Sequence, residues 1–81
     1  MKVRVKLFAV AKELAGSDAL EIDLADGAII AELRAAVVEA VPDLVKIVPH
    51  SLWAVGSEYV REDTKLNETS DVAMIPPVSG G

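Results

Sequence analysis

The sequence predicts an α+β domain in which one main helix lies across a mixed sheet of about five strands. Three observations carry this prediction. Residues 2–7 and 19–24 alternate strictly between apolar and charged or small side chains, the period of a strand with one buried face. Residues 28–41 repeat apolar side chains at helical spacing. Shorter apolar runs follow at 52–55, 58–60 and 72–75, separated by turn-forming residues. Strands, one long helix and further strands can bury their apolar faces only if the helix packs on the sheet.

The elements follow in order. Val3, Val5 and Leu7 share one face of the first strand, with Lys2, Arg4 and Lys6 on the other. The second strand places Leu20, Ile22 and Leu24 inward and Glu21 and Asp23 outward. Cations on one strand and acids on the next favour an antiparallel hairpin, each facing pair contributing ~0.2–1 kcal/mol. Between them, residues 8–15 change period and stop at Gly16, which reads as a short helical turn. Asp26-Gly27 is a turn. The main helix then carries Ile30, Leu33, Val37 and Val41 on one face and ends at Pro42. Its start is weakly marked, because Glu32 suits a capping box but its partner position holds Ile29 rather than Ser or Thr. In the connection 42–51, Leu44, Val45, Ile47 and Val48 are expected to tuck under the core. Leu52-Trp53-Ala54-Val55 forms a strand, Gly56-Ser57 a turn and Glu58-Tyr59-Val60 a short strand. After the polar turn cluster 67–71, Val72 to Ile75 closes the sheet. A right-handed crossover would make this last strand parallel to the first, although pattern leaves the strand order open.

Residues 76–81 read as an extended C-terminal tail attached to a domain spanning 1–75. Pro76 and Pro77 have no N–H to donate to a ladder, and their fixed φ favours extended polyproline geometry. From Pro76 to Gly81 the chain can reach roughly 20 Å. Gly80 and Gly81 lack a Cβ, so backbone and carboxylate fit a slot too narrow for any side chain. The alternative is a frayed terminus without a role.

Eighty-one residues make one small domain with a single modest core. No apolar run approaches a membrane span and no basic-then-apolar leader opens the sequence, so a cytoplasmic location is expected. A net charge of −5 disfavours nucleic acid or an anionic membrane as a partner. Cysteine is absent, which removes disulfides, thiolate nucleophiles and Cys-based metal sites. The lone His50, beside Pro49, reads as a solvated loop residue. Trp53 and Tyr59 read as core and edge packing rather than ligand stacking. No acidic pair has a spacing that marks general acid–base work. The one unusual chemical feature left is the Gly81 carboxylate on its stiff leash.

Several segments taken together resemble a known family. They are Leu7-Phe8-Ala9 with Lys12-Glu13-Leu14-Ala15-Gly16, then Ala31-Glu32-Leu33-Arg34, then residues 54–60, and above all Ile75-Pro76-Pro77-Val78-Ser79-Gly80-Gly81. In this order they resemble the small, sulfur-carrying subunit of molybdopterin synthase, and the resemblance covers essentially the whole chain. Gly56 stands where the family commonly has Asn, and Ile29 where it often has Thr.

The resemblance implies a ubiquitin-like β-grasp fold and a carrier that is not catalytic alone and binds no cofactor itself. It implies that a ubiquitin-activating-like adenylyltransferase uses ATP to adenylate the Gly81 carboxylate, which a sulfur donor converts to a thiocarboxylate. That group is nucleophilic and ionised at neutral pH, and takes the part of a cysteine thiolate. The tail then enters the large subunit, where sulfur passes to cyclic pyranopterin monophosphate for the molybdenum cofactor. Gly81 would carry the sulfur, Gly80 would let it in, and Pro76, Pro77, Val78 and Ser79 would line the partner's channel. Phe8 and Met74 are the candidate contacts on the adjoining sheet, each also readable as core. The other readings are a carrier for thiamine or tRNA thiolation, a ubiquitin-like modifier, and a β-grasp interaction domain with an inert tail.

Overall fold

The structure, a computed structural model, describes residues 1–77. It contains β1 (Lys2–Leu7), α1 (Ala9–Ala15), β2 (Ala19–Asp23), α2 (Ile30–Ala40), β3 (Leu52–Val55), β4 (Glu58–Tyr59) and β5 (Asp71–Ile75). Two 3-10 turns, Pro42–Leu44 and Val48–His50, organise the connection between α2 and β3. The strands form one sheet in the order β2-β1-β5-β3-β4. The central pair, β1 and β5, is parallel; the other pairs are antiparallel.

The β1–β2 register places Lys2 opposite Asp23 and Arg4 opposite Glu21, as the charge pattern predicts. The ion pair that forms is diagonal, with Lys2 Nζ 4.0 Å from Glu21 Oε2, and both side chains are exposed. Such a pair contributes little. The weight of the register falls on the opposite face, where Val3, Val5, Leu7 and Ile22 are buried together with Val72, Met74 and Trp53. Ile30, Leu33 and Val37, one stripe of α2, close the core over that face.

The start of α2 explains how Ile29 can occupy a cap position. Ile29 has no side-chain acceptor, so only half of a capping box forms: its N–H donates to Glu32 Oε1 at 3.2 Å. The next two N–H groups find carbonyls far away in sequence. Ile30 donates to the Thr64 carbonyl (3.0 Å) and Ala31 to that of Glu62 (2.9 Å). An ion pair between Arg34 and Glu62 (2.6 Å) and the Ile29–Lys65 bridge hold the same loop against the helix. The orphan donors of a helix N-terminus are thus met by tertiary contacts.

The 42–51 connection departs from expectation at one residue. Leu44 and Val48 are buried and Ile47 is half-buried, but Val45 is 52% exposed. The 3-10 turn rotates successive side chains by about a third of a circle, so burying Leu44 turns Val45 outward. Gly56 has φ +64, so the β3–β4 turn uses the left-handed region that Asn also tolerates.

Candidate functional site

The parallel pairing of β1 with β5 decides where the tail leaves. Leu7 pairs with Met74, so both strands finish at the same end of the sheet. β3 runs antiparallel to β5 and begins at that end, with Leu52 opposite Ile75. Phe8 and α1 follow β1 there, and Pro76 and Pro77 follow β5. This end is the tail pole.

Exposed large apolar side chains gather at this pole. Phe8 (46% exposed), Val10 and Leu14 follow β1, and Leu52 (57%) opens β3. Val45 follows the 3-10 turn that packs against α1. Tyr59 lies farther along the sheet face away from α2, opposite Ala54, which in turn lies opposite Ala73. The register therefore sets Leu52, Ala54, Tyr59, Ala73 and Ile75 on one face, where Leu52 and Tyr59 are exposed, Ala73 and Ile75 half-buried and Ala54 buried between its neighbours. A patch of this kind marks an interaction surface. The sequence carried a signal for it. β1 and β2 alternate, as a sheet with one bare face should, whereas β3 and β5 are apolar on both faces.

The sequence-predicted site residues distribute unevenly. Phe8 is exposed at the pole, where a partner can reach it. Met74 is not a surface contact. It is fully buried, on the inner face of β5 between Leu7 and Trp53. Alternation along β5 sends Met74 to the core and Ile75 to the outer face, so the accessible neighbour of the tail is Ile75. Pro76 is also buried, so its ring belongs to the domain rather than to a partner's channel, and the first exposed tail residue is Pro77. Val78, Ser79, Gly80 and Gly81 lie outside the described residues. Among the described residues no three His, Asp or Glu side chains cluster as a metal site would require. None of the helices described is long and apolar enough to cross a membrane.

Phe8 is held out by an unusual backbone. Its φ of −130° and ψ of 156° are extended, and Ala9 then takes φ +50°, which L-residues rarely adopt. The left-handed region costs an alanine about 1–2 kcal/mol, more than the ~0.5–1 kcal/mol that a glycine loses in chain entropy. Ala9→Gly should therefore leave the melting temperature unchanged or raise it by a few degrees. A clear fall in thermal unfolding would show that the turn is not strained.

The mixed five-strand sheet crossed by α2 is the ubiquitin-like β-grasp arrangement. The structure superposes on that of SAMP1 from Haloferax volcanii with a TM-score of 0.88 at 27% identity, covering 100% of both chains. The sequence is 37% identical over 83 residues to the molybdopterin synthase sulfur carrier subunit of Chlamydomonas reinhardtii, covering 100% of each. It is also 37% identical over 81 residues to the protein of the same name from Dictyostelium discoideum, covering 96% of this chain and 94% of that one. The ThiS family model matches residues 5–81, which include both terminal glycines. With that match spanning nearly its whole length, the chain belongs to the ThiS family.

Proposed function

We propose that this chain is the sulfur carrier subunit of a molybdopterin synthase and that the carboxylate of Gly81 is the group it offers. The observation that carries the reading is the end-to-end 37% identity to a relative of that name. The uncovered apolar face at the tail pole supports it, because a carrier must dock reversibly on more than one protein. The partners are the synthase large subunit and a ubiquitin-activating-like adenylyltransferase, and the setting is the cytoplasm.

The chemistry follows from what a carboxylate lacks. It is a poor acyl group until an oxygen attacks the α-phosphate of ATP, releasing pyrophosphate and leaving AMP as a good leaving group. A sulfur donor then displaces AMP at the carbonyl carbon. The resulting thiocarboxylate is a soft nucleophile that delivers sulfur to cyclic pyranopterin monophosphate in the large subunit. ATP belongs to the activating enzyme. The carrier contributes a slender, correctly placed terminus: Pro77 stiffens the leash, and Val78 and Ser79 pass along the partner's channel. Gly80 adds no side chain beside the reacting carbon.

The test is incubation of the native protein with the activating enzyme, ATP and a sulfur source. The expected product has one oxygen replaced by sulfur, localised to Gly81 by fragmentation mass spectrometry. A second reading, a ubiquitin-like protein modifier, is favoured by the likeness to SAMP1, a small archaeal modifier protein. Under that reading Gly81 would be recovered in amide linkage to lysines of other proteins, and no thiocarboxylate would accumulate.

A further inference from the structure

We propose that the corner formed by Lys6, Phe8 and Lys12 binds an acidic segment of the synthase large subunit, beside the point where the tail leaves. This inference rests on the function proposed above. The argument begins with charge along β1. Lys2 faces Asp23, and Arg4 lies between Glu21 on β2 and Asp71 on β5. Lys6, the next outward residue, lies between Ala19 and Ala73. The acids that accompany the first two cations stop one step short of the tail pole.

Lys12 adds a second charge from the last turn of α1. Among the described residues, neither Lys6 nor Lys12 has a carboxylate oxygen within 4.0 Å. Both line a cleft of about 350 Å³ together with Arg4, Phe8, Ala9 and the single acid Asp18. Arg4 is already flanked by Glu21 and Asp71, so Lys6 and Lys12 against the one lining carboxylate, Asp18, give this corner its positive excess on a chain whose net charge is −5.

That contrast selects the occupant. An acidic surface is repelled by most of this protein and attracted here, which fixes both position and orientation of docking. Phe8, which lines the same cleft and is half exposed, supplies the apolar contact, and the left-handed Ala9 follows it directly. A partner segment that carries carboxylates and an apolar side chain matches all three residues. Its binding beside Pro77 sets the direction in which the tail enters the partner.

The experiment measures the affinity of the full-length carrier for the large subunit by calorimetry, at about 50 and 500 mM NaCl, where screening lengths differ severalfold. Lys6→Glu/Lys12→Glu should weaken binding by about tenfold or more at low salt. The deficit should shrink at high salt, and Lys6→Arg/Lys12→Arg should restore binding. Lys65→Glu, in the loop at the opposite pole, should bind as the native chain does. Should the reversed variant melt early, Lys6→Met/Lys12→Met and the salt dependence of the native chain give the same readout. Native affinity that is indifferent to salt and to these substitutions would overturn the inference and leave the carrier function standing. Failure of the native chain to bind the large subunit would overturn both.

Discussion

A carrier extended by a single residue beyond Gly81 should fold normally and be inactive in both adenylation and sulfur transfer. Under the proposed function, an extra residue would carry the carboxylate about 3.3–3.6 Å past the place where it meets the activating enzyme's ATP. A misplacement of only ~1 Å can cost about a hundredfold in rate, so activity should fall by well over that factor. Any residue but glycine also brings a Cβ into a channel that Gly80-Gly81 would leave empty. Pyrophosphate exchange with the activating enzyme and mass spectrometry for the thiocarboxylate would read the loss. Thermal unfolding would show an unchanged midpoint. Deleting Gly80-Gly81 should give the same pair of results. Retention of activity by a C-terminally tagged protein, with the tag still attached, would sink the mechanism.

Met74→Ala should have the opposite character, with a large loss of stability caused by a residue only two positions before Pro76. Met74 is fully enclosed, and truncating such a side chain to alanine removes about 2–5 kcal/mol through lost burial and the cavity left behind. In a domain of this size each kcal/mol lowers the melting midpoint by about 4–8 °C. The variant should therefore melt at least ~8 °C early. Phe8→Ala should move the midpoint by no more than a few degrees, since Phe8 is already half in solvent, and should instead weaken partner binding. If the two variants exchanged behaviours, the assignment of Met74 to the core and Phe8 to the docking surface would be reversed. Together, calorimetric unfolding and partner titration separate fold from function at the tail pole.

What could be read from the sequence differed from segment to segment. β1, β2 and the hairpin they make were legible because alternation and facing charges are local properties. The end of β5 at Ile75 was legible because Pro76 and Pro77 have no N–H to donate to a ladder, but the burial of Pro76 was not. The helix was visible by its apolar stripe, but its start was not. The acceptors for Ile30 and Ala31 are carbonyls of Thr64 and Glu62, about thirty residues downstream. No local cap motif could have announced them.

The sequence by itself determined the periods, the hairpin and the main helix across a sheet. The tertiary structure alone decided the faces. In a run such as Val72 to Ile75, every residue is apolar, so alternation carries no sign and either Met74 or Ile75 could point inward. Pairing with Leu7 on one side and Trp53 on the other commits Met74 to the core and leaves Ile75 on the bare face. The parallel β1–β5 pairing brings Phe8 and Lys6, and the antiparallel β3–β5 pairing brings Leu52, to the end from which Pro77 departs. That gathering is a property of long-range register, which is set when the sheet closes around its core and not by any one segment.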